Sequence, residues 1–210
     1  MSDQRGRFRS KPWKVDWFIP ELEHRKYAKA YREPSDYGEE VSLYFGDVHK
    51  HTNLSPCAHV DPYNQSPEES YAHARHKAGC DFLAVCDHAE RISDAQWRQC
   101  MEPAKRTTEP GRLVAWPAVE WATGLYGHRN LYFREYDVPL ISGREVTSPP
   151  ALWARLREKG IPGLTIPHHA ARELSADLTR TDDELEPAYE IFSGWGNEEY
   201  YGAPLQDTDR

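Results

Sequence analysis

The pattern of apolar and polar positions changes character near residue 41. Residues 1 to about 40 mix charges, aromatics and prolines without a steady period, apart from a short helical stretch across Glu21 to Tyr31, and read as an N-terminal extension that packs on something else. From Val41 onward, over 41–210, the pattern is one of alternating elements, as in a single domain. Val41 to His49 predicts a strand. Ser66-Pro67-Glu68-Glu69 opens a helix with an N-cap, a proline in the first turn and early acids, and Gly79 ends it. Asp81 to Cys86 is a short apolar run of the kind buried on both faces of a parallel sheet. Ser93 caps a second helix through Met101, Leu113 to Val119 predicts a third strand and Asn130 to Phe133 a fourth. Ser148-Pro149 opens a helix that stops at Gly160, followed by strands over Gly163 to Ile166 and Ala188 to Phe192. Strands alternating with helices predict an α/β fold with a mainly parallel sheet.

Composition narrows the function classes. A formal charge of −8 over 210 residues, with no basic block beyond the short run Arg5 to Lys14, excludes the clustered positive footprint that nucleic acid requires. The expected partner is a small molecule. No apolar run reaches the ~18 residues of a membrane span, and no apolar stretch follows the basic N-terminus as in a signal peptide, so a cytoplasmic protein is expected. Cys57, Cys80, Cys86 and Cys100 lack CxxC spacing, which argues for reduced thiols over disulfides or a thiolate zinc knuckle.

The chemistry-bearing residues fall at strand ends. His49 and His51 follow the first strand, Asp87-His88 the second, Glu120 the third, His168-His169 the one after the long helix, and Glu190 lies on the last. In parallel α/β architectures those ends converge on one face, where sites are built. Imidazoles with carboxylates suit zinc, iron or manganese, and Glu120 can bridge two ions. In extended backbone His49 and His51 point to the same side and Lys50 elsewhere. His59 and Asp61 are either ligands or loop polars, and His128 beside Arg129 binds a substrate anion or a metal, or lies in a solvated turn. His24, His73 and His76 read as surface residues.

These motifs resemble the polymerase and histidinol phosphatase (PHP) superfamily, and within it the DUF3604 group. Tyr44-Phe-Gly-Asp-Val-His49-Lys-His51-Thr-Asn-Leu-Ser55, Asp81-Phe-Leu-Ala-Val-Cys-Asp87-His88, Glu120-Trp121 with Gly127-His128-Arg129-Asn130, Ile166-Pro-His168-His169 and Glu190-Ile-Phe-Ser193-Gly-Trp-Gly-Asn-Glu198 are similar to its motifs in order, over residues 41 to 200. The resemblance implies a distorted (β/α)7 TIM-like barrel holding two or three divalent ions (Zn, Mn or Fe). It implies that His49 and His51 hold one ion, that Glu120 bridges it to a second held partly by His168, and that His88 belongs to a third position; Asp87, beside His88, is expected at the metals as well. Glu120, His128 and Arg129 then serve catalysis, with Arg172 near the substrate, and Cys57, His59, His169 and Glu190 are further candidates for metal or substrate.

Two departures from that family stand out. Cys57 occupies the position where the superfamily often has a His or Asp for the third metal; it either ligates as a thiolate, preferring zinc or iron, or is an inert small hydrophobe, the reading adopted. No Asp-x-His motif follows an apolar strand near the end, because Asp207 and Asp209 have only the spacing. The barrel is therefore expected to be incomplete, through a shortened chain, a split enzyme or a degenerate member, with a homo-oligomer or second polypeptide covering the open sheet edge. The expected function is hydrolysis of a phosphoester or related small-molecule ester by metal-activated water. The alternative is an auxiliary, non-catalytic metal-binding subunit, and a di-iron centre would also admit oxygen chemistry.

Overall fold

Phe82–His88 (β2) is buried along most of its length, as its apolar run requires, and the sheet grows outward from it. In the computed structural model, which describes residues 44–60, 64–169, 176–193 and 196–197, Gly46–Lys50 (β1) pairs parallel with one edge of β2 and Val114–Thr123 (β3) parallel with the other. Gly127–Phe133 (β4) then runs antiparallel to β3, and Gly163–His168 (β5) antiparallel to β4, so β5 shares the direction of the first three strands. Phe192–Ser193 (β6) and Gly196–Asn197 (β7) form a separate two-stranded ribbon. The helix expected over Glu21 to Tyr31, and Asp61, Arg172, Asp207 and Asp209, lie outside the described residues.

The helices start where their caps predict. Ser66 and Glu69 form a reciprocal capping box on Pro67–His73 (α1), which widens into a π turn over Ala74–Ala78 and stops at Gly79 with φ 64°. Ser93 and Gln96 cap Asp94–Thr107 (α2) in the same way. Ser148 and Pro149 begin Pro149–Lys159 (α3), and Gly160 ends it at φ 61°. None of the described helices is long and apolar enough to cross a membrane.

The expected (β/α)7 TIM-like barrel is not formed by the described residues. Five strands make one curled, mixed sheet, a half-barrel, accompanied by three α-helices among the described residues. The reason lies between β3 and β4: only Gly124, Leu125 and Tyr126 separate them, whereas a parallel return needs a crossover of about a dozen residues or more. The chain reverses as a hairpin, and Gly127 takes φ 66° where the next strand begins. The strand expected over Ala188 to Phe192 is also reduced. Pairing there is confined to Phe192–Ser193, while Glu190 is tied to β5 by its N–H donating to the Pro167 carbonyl at 3.2 Å.

Strand alternation sorts the sheet into two faces. Leu83, Val85, Val119, Trp121, Leu131 and Phe133 face the helices and pack with Tyr71, Trp97, Leu152 and Leu156. The buried indoles are satisfied, with Trp97 donating to the Val138 carbonyl and Trp121 to the Val146 carbonyl. Ala84, Cys86, Ala118 and Tyr132 face the hollow of the curl, with Val48, Leu164 and Ile166 beside them.

Arg129 goes with the helix face. It is fully buried, its Nε donates to Glu186 Oε2 at 2.7 Å, its guanidinium reaches the carbonyls of Tyr126, Asp177 and Arg180, and it lies 5.9 Å from the Trp153 ring centre. Its expected place beside a substrate is thus corrected: on β4 the odd positions turn away from the hollow. Truncating a buried ion pair leaves an uncompensated charge, so Arg129→Met should destabilise the chain by about 3 to 5 kcal/mol in urea unfolding while bound metal per folded chain stays constant. Loss of metal without loss of stability would return Arg129 to the site.

Candidate metal centre

The centre is built on one cross-strand row. His88, Glu120 and Asn130 are in register on β2, β3 and β4, and one step further His128 on β4 faces His168 on β5. Residues opposite one another share a face, and this row faces the hollow. His49 arrives by a different device. Between Asp47 and Lys50 three steps along β1 match two along β2, and a bulge of this kind re-aims side chains at the end of a strand. It lets Val48 pack on the floor of the hollow while His49 turns into the centre, and it brings Lys50 to the lining as well, contrary to the simple alternation that sent Lys50 elsewhere.

Glu120 sits at the middle, 1 % exposed. Its Oε1 is 2.5 Å from His128 Nδ1 and 3.9 Å from His168 Nε2; its Oε2 is 2.8 Å from His51 Nε2, 3.1 Å from His88 Nδ1 and 3.7 Å from His49 Nε2. His49 Nε2 and His51 Nε2 are 3.2 Å apart. Two imidazole nitrogens bonded at ~2.0–2.1 Å to one tetrahedral ion lie roughly 3.3 Å apart, so this pair has the spacing of a chelate. Several groupings of these residues could hold a metal ion, His49 with His51 and Glu120, and His88 with Glu120 and His128, among them.

A second layer fixes the rings. Glu190 Oε2 accepts from His49 Nδ1 at 2.9 Å and its Oε1 from His168 Nδ1 at 2.9 Å, which leaves each Nε2 directed toward Glu120. Asn130 Nδ2 donates to Glu190 at 3.0 Å, while its Oδ1 accepts the Cys86 thiol at 3.4 Å. Cys57 Sγ lies 2.8 Å from His51 Nδ1. Asp87, expected at a metal, is buried behind the row and spent on the following loop: it accepts from Thr52 N, Thr52 Oγ1 and Ser55 Oγ at 2.8, 2.6 and 2.6 Å. It holds the segment that carries His51 and Cys57 in place.

His49, His51, His88, Glu120, His128, His168, Glu190 and Cys57 are thus brought together around a cleft of about 510 Å³, whose lining includes Asp47, Lys50 and Phe192. His169 packs against the His128 and His168 rings at the edge, with φ 35°, a conformation that non-glycine residues seldom adopt. His59 lies on the short 3-10 turn Pro56–Val60, and His73 and His76 lie on the α1 segment, which packs on the helix face of the sheet. Asn130 stands two residues from His128 on β4 and so shares its face, a placement readable from the sequence.

Electrostatics follow from the geometry. Burial alone pulls an imidazole down, but Glu120 and Glu190 outweigh it for His49, raised to about 9, and Cys57 and Glu120 for His51, raised to about 10. Burial opposes the ionisation of Glu120, yet its hydrogen bonds with His128, His49 and His51 hold it well below the carboxylate range, and His168 and His49 bring Glu190 to about 2. Burial also outweighs Glu190 at His168, which is lowered and presents a neutral Nε2. Cys57, against the effect of burial, is drawn down to about 6 by His51 and His88.

The chain matches no protein-family model, no curated protein and no solved structure. The centre is therefore defined by its own geometry, a carboxylate enclosed by imidazoles at the rim of a half-barrel.

In the ion-free chain, His49 and His51 have raised values, so their stabilisation is complete below the ordinary imidazole value of 6.5 and is lost as pH climbs through about 9 to 10. Glu190 is lowered, so its contribution is present above 4.5 and lost as pH falls toward about 2. The urea midpoint of chelator-treated protein should fall between about pH 7 and about pH 10, and should fall less in a His49→Ala, His51→Ala double variant. Equal falls in both proteins would refute the coupling.

Proposed function

We propose that the chain is a metal-dependent hydrolase whose ion is held by His49, His51, Glu120 and His168, acting on a small phosphoester or related ester. The observation that carries the reading is the 3.2 Å approach of the two Nε2 atoms over a buried carboxylate that five imidazoles surround. A divalent ion there would supply Lewis-acid polarisation and lower the pKa of its bound water toward ~7. The protein's own contributions are separate from that. Glu120 provides the negative charge that fixes cations at the centre of the row. Glu190 keeps the protons of His49 and His168 on Nδ1, so that both rings offer Nε2. Lys50 on the cleft lining adds the positive charge that an anionic ester calls for, and Phe192 gives the cleft an apolar wall. The likeness of the five motifs to PHP-type sequences supports the phosphoester class; Arg129 takes no part, since Glu186 holds it on the far side of the sheet.

Chelator-stripped protein reloaded with manganese, iron or zinc should bind the ion and cleave generic aryl phosphomonoesters or diesters. The His49→Ala, His51→Ala double variant should lose bound metal and more than about 100-fold of the turnover, since loss of outer partners alone costs 10–100-fold. Metal content unchanged in that variant would refute the centre. Binding without turnover on any ester would leave the chain as a metal-binding subunit.

The same reloading should release protons, because His49 and His51 carry them in the ion-free state at neutral pH. Calorimetry in buffers of different ionisation enthalpy should show about two protons leaving per ion bound, and none would contradict the assignment of both rings.

A further inference from the structure

The hollow of the curl is apolar below the Glu120 row, and the described strands build only one side of it. Phe82 on β2 and Trp116 on β3 share strand parity with Ala84, Cys86 and Ala118 and so face the hollow. Their rings lie 5.7 Å apart. Nothing larger than glycine fits at position 46, because a Cβ there would meet the Phe82 ring and carbonyl, so that ring lies across the start of β1. Val114, in register with Phe82, and Leu164 and Ile166 from β5 extend these rings into an apolar floor. A closed barrel fills such an interior with side chains from strands all round it. Here Trp116 and Val114 each stay 36 % exposed, and Tyr44, where the chain enters β1, is 66 % exposed. A contiguous apolar surface of this kind marks a place where something else packs.

Three features select residues 1–43 of the same chain, outside the described residues, as the cover. They join the sheet at Tyr44, on the strand that the Phe82 ring overlies. Their apolar side chains gather at Phe8, Trp13, Val15, Trp17, Phe18 and Ile19. That cluster is about thirty residues from Tyr44, a length of chain that spans roughly 30 Å, and such a tether makes docking effectively intramolecular. Charge agrees: residues 1–20 carry five basic side chains against two acidic ones, while Asp47 and Asp81 stand on β1 and before β2 at the margin of the floor. A second copy fits less well, because the floor is concave and a two-fold interface needs a patch that complements itself.

We propose that residues 8–19 fold back onto this floor as an intramolecular plug, with Trp13, Trp17 and Phe18 against Phe82 and Trp116. The open half of the curl is then filled from the chain's own N-terminal side, and the plug stands independently of the metal-centre reading.

Full-length protein with a photoreactive benzoylphenylalanine replacing Trp116, irradiated as a mixture of light and heavy-isotope-labelled chains, reports the occupant by mass spectrometry. Crosslinked peptides should join position 116 to residues 8–19 of the same isotopic chain. Crosslinks between light and heavy chains identify a second copy as the cover and overturn the plug, as does the absence of any crosslink to residues 1–43. A second full-length variant, Trp13→Ser with Trp17→Ser and Phe18→Ser, leaves every side chain of the sheet in place. Its circular dichroism spectrum should hold while binding of an apolar dye such as anilinonaphthalene sulfonate rises severalfold, as the floor is uncovered. Dye binding equal to that of wild type overturns the plug as well.

Discussion

Everything in the hollow is arranged around one buried anion, the Glu120 carboxylate. A carboxylate out of contact with water is tolerated only when opposite charge or directed donors surround it. Here they come from strands on either side of β3: His49 and His51 from β1 and its exit, His88 from β2, His128 from β4 and His168 from β5. Because β3 is the middle of five strands, the side chains that meet Glu120 reach it only if the outer strands bend inward. The curl of the half-barrel and the charge balance of its centre are therefore the same constraint seen at two scales.

Rigidity is supplied from outside that ring of contacts. Imidazoles swivel, and a cluster of them is useful only if the nitrogens that face inward are fixed. Glu190 fixes two at once, and Asn130 in turn fixes Glu190. Asp87 works at one remove, gripping Thr52 and Ser55 so that the segment after β1 cannot lift away, while the Ser55 hydroxyl also accepts the His88 N–H at 3.0 Å. A carboxylate next to a histidine in the chain thus ends on the opposite face of its strand, with a structural task.

That separation marks what was legible in the chain and what was not. The capping boxes at Ser66 and Ser93, the proline after Ser148 and the apolar run before Asp87 mark helices and a strand where they form, because capping chemistry, proline geometry and burial are local. The meeting of His49, His51, His88, Glu120 and His168 followed from their places at strand ends. Direction was harder. The three residues between Thr123 and Gly127 allow only a hairpin, but a strand start read at Asn130 hides how short the connection is, while the expected barrel came from the likeness to PHP-type motifs. Facing was harder still: Arg129 and Asp87 look like site residues by type, and strand parity places them behind the sheet. The bulge that admits both His49 and Lys50 depends on pairing with β2, which no local pattern encodes.

Charge explains how such a centre can exist with and without an ion. In the ion-free state His49 and His51, raised to about 9 and 10, carry two protons at neutral pH and face the negative Glu120 and Glu190, which are held low by the same contacts. A divalent cation that displaces those two protons replaces two positive charges by two, so the net charge inside the hollow is unchanged. The carboxylates need not find new partners, and the strands that curl around Glu120 keep the electrostatic reason for their curvature. On the proposed reading, proton and metal would compete for one preorganised cavity, and raising the pH would favour the ion by removing the protons. The hydrogen bonds of Glu190 engage Nδ1 of His49 and His168 and so leave each Nε2 open to such an exchange.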